Sequence, residues 1–174
     1  MPLTKANFEK LKAGQIKPGQ FLEIDTKQMA ALLLTGYNLY SQGLLEDAQK
    51  VFESIAWLDP KNPYVNAALG SIYQKNGKYE AAVTSYTNSL AVYQQDLNTL
   101  ANRGEVYLKM GKLQEAAADF RAAIDLDPQH RHAAANRARM LVALTQEALQ
   151  LVKEKGVEAV KEVQRRITTQ KPGR

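Results

Sequence analysis

Apolar positions recur along this chain at the three- and four-residue spacing of helices, and the whole pattern is itself repeated every 34 residues. Leu39, Tyr73 and Tyr107 share one phase, Ala48, Ala82 and Ala116 a second, and Phe52, Tyr86 and Phe120 a third; Pro60 and Pro128 hold a fourth, with Gln94 between them. Two glycine series keep the same step, Gly36, Gly70 and Gly104, then Gly43, Gly77 and Gly111. Each period predicts two helices joined by a turn. Glycine inside a helix costs up to about 1 kcal/mol relative to alanine, so the first series predicts a close helix approach. Ala48, Ala82 and Ala116 are expected to face those glycines, small against small, with the aromatic one turn on filling the remaining space. The second series has the residue type that stops a helix in the left-handed conformation. Asn62 before Pro63 predicts an N-cap and a first helical residue, Asp96 caps the next unit and Thr26 the first. The units are bounded at residues 29–62, 63–96 and 97–130.

Residues 1–28 form a separate N-terminal segment. Phe8 and Leu11 predict a short helix, and Gly14, Pro18 and Gly19 a loop over 14–20. The segment is too poor in apolar residues to fold alone, so it either docks on the repeats or mediates association. Beyond them, residues 131–174 are a capping helix and a basic extension. Arg131 to Lys155 predicts one long helix whose Ala134, Ala138, Leu141, Val142, Thr145, Leu149 and Val152 cover the open face of the third unit. Gly156 ends it, Val157 to Ile167 predicts a further short helix with Val157, Val160, Val163 and Ile167 along one side, and Thr168 to Arg174 is expected to fray.

A 34-residue period with these residue types resembles the tetratricopeptide repeat. The resemblance implies an all-α fold, a right-handed α-solenoid of three such repeats flanked by the N-terminal segment and C-terminal capping helices. It also implies a binding role, carried by a concave wall built from the first helix of each pair. Helical spacing places Ala30, Leu33, Tyr37 and Tyr40 on that wall from the first repeat, Tyr64, Ala67, Ser71 and Gln74 from the second, and Asn98, Ala101, Glu105 and Leu108 from the third. The wall is small, aromatic and aliphatic, with little charge. Members of the family that clamp the acidic C-terminus of heat-shock chaperones need lysine, arginine and asparagine at set positions; Leu33, Tyr37 and Ala68 stand at three of them, which argues against that specificity. An extended segment with apolar side chains suits this groove. The alternative use of Tyr37, Tyr40 and Tyr64 is packing between neighbouring helices.

Gly36-Tyr37-Asn38-Leu39-Tyr40-Ser41-Gln42-Gly43, followed by Glu46-Asp47-Ala48-Gln49-Lys50-Val51-Phe52-Glu53 and Leu58-Asp59-Pro60, is similar to the first repeat of the translocator chaperones of bacterial type III secretion. Leu69-Gly70-Ser71-Ile72-Tyr73-Gln74 and Gly77-Lys78-Tyr79-Glu80-Ala81-Ala82 continue the likeness, which covers about residues 14–128. It implies a cytosolic chaperone that holds an extended segment of a hydrophobic, pore-forming translocator in its groove before secretion. It further implies a homodimer through the N-terminal segment or the first repeat.

Composition narrows the remaining classes. The chain has no cysteine, which excludes disulfides, thiolate metal sites and cysteine nucleophiles and fits a reducing compartment. Its longest uninterrupted apolar stretch, Met29 to Leu34, is far too short to cross a bilayer. Residues 1–128 carry 13 Lys and Arg against 14 Asp and Glu, a net of −1, and residues 129–174 carry 10 against 4, a net of +6. That imbalance supports a second reading, a scaffold or assembly subunit whose basic tail touches an acidic protein, lipid or nucleic acid surface through a stripe of Arg131, Arg137, Arg139, Arg165 and Arg166. No aromatic residues interleave with those charges, so a solvated helix face is preferred over nucleic acid. An enzyme is the weakest reading. His130 and His132 stand two apart and point apart on a helix, no phosphate-cradling glycine loop occurs, and neither a metal nor a cofactor is expected.

Overall fold

The computed structural model describes residues 4–155; the expected helix over 157–167 and the tail after it lie outside the described residues. Helix α1 (Lys5–Lys12) and the single turn α2 (Pro18–Phe21) precede three helix pairs: α3 (Thr26–Ser41) with α4 (Leu45–Leu58), α5 (Pro63–Lys75) with α6 (Tyr79–Val92), and α7 (Leu97–Lys109) with α8 (Leu113–Asp125). Helix α9 (Ala133–Lys155) follows. Each helix packs on its partner and then on the next pair, α4 on α5, α6 on α7 and α8 on α9, the stacking of a helical solenoid.

Local chemistry sets the pair boundaries. The first helix of each pair opens on a side-chain cap: Asp25 accepts from the Gln28 amide at 2.7 Å, Asn62 from Val65 at 3.2 Å, and Asp96 from Asn98 at 3.2 Å. The Gln28 side chain in turn accepts from the Asp25 N–H at 2.9 Å. This capping box places the cap one residue ahead of Thr26, which is the first helical residue rather than the cap. Each first helix ends on a glycine with positive φ, Gly43 at 79°, Gly77 at 71° and Gly111 at 75°. In all three the next amide reaches back six residues inclusive, Leu44 to the Leu39 carbonyl at 3.0 Å, Lys78 to Tyr73 at 2.9 Å and Lys112 to Tyr107 at 2.9 Å. The second helices have no side-chain cap and instead carry Glu46 and Asp47, Glu80, or Glu115 in their first turns, where the helix dipole favours acid.

The close approach inside each pair differs from the expected glycine–alanine contact. A methyl on Gly36, Gly70 or Gly104 would lie 2.8, 2.5 or 2.7 Å from the ring of Phe52, Tyr86 or Phe120 respectively. The aromatic ring therefore occupies the space vacated by the missing side chain, and Ala48, Ala82 and Ala116, all fully buried, pack elsewhere in the core. The three rings are 0 to 1% exposed, so each repeat is built on a ring seated on a glycine. Within the third pair, Arg103 of α7 adds a two-pronged bond to Asp119 of α8, both arms 2.8 Å and largely buried.

Helix α9 begins two residues later than the sequence suggests. Asp127 accepts from the Arg131 and His132 amides at 2.9 and 3.1 Å, and His130 adopts a left-handed φ of 57° in the turn before the helix. Burial would raise the Asp127 carboxyl; those two amides and the Arg139 guanidinium outweigh it and hold it below the usual carboxylate range. The 34-residue phase continues into α9. Ala138 occupies the position of Gly36, Gly70 and Gly104, and Leu141 that of Leu39, Tyr73 and Tyr107. Thr145 falls where the stopping glycine would be, is fully buried, and bonds its hydroxyl to the Leu141 carbonyl at 2.7 Å. With no glycine there, the helix runs straight on. It seats Ala134, Ala135, Ala138 and Ala148 against Leu100, Leu108 and Phe120 in one continuous core.

At the other end, α2 packs on α4. A side chain at Gly19 would stand 3.0 Å from the Leu58 carbonyl, and Lys17 pairs with Asp59 at 2.5 Å. The expected loop over 14–20 thus contains a helical turn, opened by Pro18 in the first-turn position where proline lacks no needed donor. Phe8 of α1 meets Phe21 of α2 with ring centres 6.4 Å apart.

Candidate functional site

Helices α3, α5 and α7 are linked along one face by polar side chains. The Tyr40 hydroxyl meets the Ser71 hydroxyl at 2.6 Å, and the Gln74 amide donates to Glu105 at 3.4 Å. Both links span 31 residues, so the same rung joins repeat one to two and repeat two to three. Glu105 then accepts from Arg137 of α9, whose other arm reaches Asn102 at 2.9 Å. Tyr86, rising from α6 beneath this face, donates its hydroxyl to Gln74 at 2.7 Å, and burial pushes its phenol well above the ordinary value. These bonds hold the three first helices in a fixed relation, and the face they form is a ready-made wall rather than a set of independent helices.

The residues expected on that wall divide into three groups. Ala30, Tyr37, Tyr64 and Asn98 are exposed, and Tyr64 is the most open aromatic at 61%. Leu33, Tyr40, Ala67, Ser71, Gln74 and Glu105 are half-buried. Ala101 and Leu108 are buried, at 1% and 2%, which removes them from the wall: they belong to the core that α7 shares with α8 and α9, and nothing from solvent reaches them. They share the helical phase of Ala67 and Gln74, but α9 packs across α7.

The apolar part of the wall lies at the junction of the first two repeats. Tyr37 sets its ring edge-on to Phe52 with centres 5.1 Å apart, and its hydroxyl lies 3.5 Å from the Tyr64 carbonyl. Leu34, one turn before Tyr37, is 62% exposed and joins this surface from outside the expected set, although its i+3 relation to Tyr37 marks it. Burial and the nearby Tyr64 and Asp96 raise the Tyr37 phenol, which stays neutral at physiological pH. The polar part lies further along, at the junction of repeats two and three, in a pocket of about 290 Å³ lined by Ser71, Gln74, Lys75, Asn102, Lys109 and Tyr79. Lys75, Asn102 and Lys109 also lie outside the expected set; Lys75 and Lys109 each stand four residues after an expected wall residue, Ser71 and Glu105.

Two arginines of the alternative basic stripe are engaged within the fold. Arg137 pairs with Glu105 and Arg139 with Asp127 at 3.3 Å, each holding a helix in place, while Arg165 and Arg166 lie outside the described residues. Among the described residues no three His, Asp or Glu side chains are grouped to hold a metal ion, and no helix is long and apolar enough to cross a membrane.

Comparison with known proteins agrees with this architecture. The family model described as tetratricopeptide repeat matches residues 67–131 and 101–173, and a second model of the same description matches 30–62. Low calcium response locus protein H of Yersinia pestis is 34% identical over 65 residues, which are 37% of this chain and 39% of the relative, so the match spans about two fifths of that protein's length. PcrH of Pseudomonas aeruginosa, solved in complex with the chaperone binding region of PopD, superposes with a TM-score of 0.67 at 28% identity over 71% of this chain and 95% of that one. The type III secretion chaperone SycD of Yersinia enterocolitica, solved with a peptide of the translocator YopD, gives a TM-score of 0.64 at 27% identity over 75% and 98% of the two chains.

Proposed function

Since this chain belongs to the tetratricopeptide repeat family, we propose that it is a cytosolic chaperone whose inner wall holds an extended, partly apolar segment of a secreted translocator-type protein. The observation that carries the reading is the exposed apolar surface of Leu34, Tyr37 and Tyr64 on a wall already braced by the Tyr40–Ser71 and Gln74–Glu105 rungs. A braced wall loses little freedom on binding, so an aromatic pocket can spend its contact energy on the partner. The peptide complexes of PcrH and SycD support the same use of the same architecture. In this reading the groove comprises Ala30, Leu33, Tyr37, Tyr40, Tyr64, Ala67, Ser71, Gln74, Asn98 and Glu105, together with Leu34. In this role the protein binds and releases its partner.

The test uses a fluorescently labelled peptide from the chaperone binding region of PopD. Parent protein is expected to bind it, and Tyr64→Ala or Tyr37→Ala to weaken binding about tenfold, the cost of losing an aromatic anchor. Tyr64→Ala should barely move the thermal melt, because that ring is 61% exposed. Parent protein that ignores the peptide would refute the translocator reading; variants that bind as tightly as the parent would refute the groove.

A further inference from the structure

The pocket between repeats two and three has a surplus that the groove reading leaves unused. Three of its neutral polar side chains are already engaged by neighbours: Ser71 with Tyr40 at 2.6 Å, Gln74 with Tyr86 at 2.7 Å, and Asn102 with Arg137 at 2.9 Å. Glu105, bonded to the lining Gln74, is held by Arg137 as well. Two ammonium groups are left over, Lys75 and Lys109, and among the described residues neither has a carboxylate within ion-pair distance. Both are positioned all the same. Lys75 Nζ lies 4.3 Å above the Tyr40 ring and Lys109 Nζ lies 5.7 Å from the centre of the Tyr79 ring. The two lysines are 34 residues apart, at the same place in successive repeats, and both line the same pocket of about 290 Å³.

Two like charges facing one cavity repel, and an anion between them removes the repulsion while gaining an attraction to each. Resting on the groove reading above, we propose that this pocket is the acidic subsite of the groove: it takes an aspartate or glutamate side chain of the bound segment, held between Lys75 and Lys109. The partner segment is then defined by two features in order, apolar side chains for the surface of Leu34, Tyr37 and Tyr64, and a carboxylate further along for the lysine pair. These lysines stand at other positions than Leu33, Tyr37 and Ala68, so the subsite is unlike a clamp for a terminal carboxylate: it reads a side chain within the segment. Each lysine also sits in the last turn of its helix, where a cation complements the dipole. That role contributes to stability, whereas the subsite is read in binding.

The experiment is an array of short extended peptides with leucine at alternate positions and one variable residue, Glu, Gln or Lys, stepped along the sequence. It is probed with the full chain and with Lys75→Gln, Lys109→Gln and the double variant. The parent is expected to prefer Glu over Gln at one position and to disfavour Lys there. Each single substitution should reduce the Glu preference roughly three- to fivefold, as for a partly exposed ion pair, and the double variant should abolish it while still binding the Gln peptides. Peptides bound by the parent with no preference at any position would overturn the subsite and leave the groove intact. No peptide bound at all would overturn the groove reading, and the subsite with it. Variants that lower the melting temperature yet keep the Glu preference would assign the lysines to the helix dipole alone and also overturn the proposal.

Discussion

Gly70→Ala sets helix propensity against packing at one atom. Alanine is the better helix former by about 1 kcal/mol, so on propensity alone the substitution stabilises α5. The added methyl, however, would stand 2.5 and 2.6 Å from Cδ1 and Cε1 of Tyr86 and 2.9 Å from its Cγ, near the root of the ring rather than its tip. Tyr86 is 1% exposed and tethered through its hydroxyl to Gln74 at 2.7 Å, so it has no direction in which to swing. Overpacking of this kind costs about 1 to 3 kcal/mol, and displacing the ring from Gln74 costs about 1 kcal/mol more. Offset by the propensity gain, the net loss is about 2 kcal/mol, or roughly 4 to 8 °C in Tm for a chain of this size. Circular dichroism melts measure it. Gly36→Ala should lose less, because the methyl there meets Cε1 and Cζ, the far end of the Phe52 ring, at 2.8 and 2.9 Å. Gly70→Ala combined with Tyr86→Leu should be no worse than Tyr86→Leu alone. A melt for Gly70→Ala at or above that of the parent would refute the seated-ring account, since propensity would then have won.

Two further outcomes follow from the closing helix. The folded Asp127 carboxyl lies below its ordinary value of 3.8, so its contribution to stability is complete above that value and is lost as pH falls through the folded pKa. The Tm gap between the parent and Asp127→Asn is therefore expected to stay level from about pH 8 to pH 5 and to narrow below pH 3.8; a gap that widens in acid would contradict the capping role. Ending the chain after residue 155 should leave the melt nearly unchanged, whereas ending it after residue 130 strips α9 from Leu100, Leu108 and Phe120 and should produce aggregation and binding of hydrophobic dyes. Identical behaviour of the two truncations would show that α9 does not close the core.

The glycines make the helix pairs legible in the amino-acid sequence, because a residue that is permissive in backbone and absent in side chain leaves a periodic mark. The same period does not say what fills the space above Gly36, Gly70 and Gly104, since the alanines and the aromatics repeat in equal step and both stay on the second helix. Asp25 and Thr26 are both good caps, and only the reach of Gln28 back to the Asp25 amide decides between them. For the wall, repeat phase carries Tyr37, Tyr40, Tyr64, Ser71 and Gln74 to one face but misplaces Ala101 and Leu108. Phase assumes that every first helix has the same neighbours, and α7 has α9 instead. Lys75 and Lys109 keep the 34-residue step, but a lysine at a helix end is ordinary, and their relation depends on a pocket that only the stacked repeats create.

Thr145 bears on how one unit of such an array is joined to the next. A solenoid is an open-ended polymer of its own units, and each unit exposes an edge that invites another. Here the chain writes the first half of a fourth unit, with small Ala138 at the seat and Leu141 in phase, then omits the glycine that would fold it back. Without that hinge the helix continues to Lys155, and its small residues serve the core of the third unit. A single position thus separates a helix that folds back within its own pair from one that lies along its neighbour's edge.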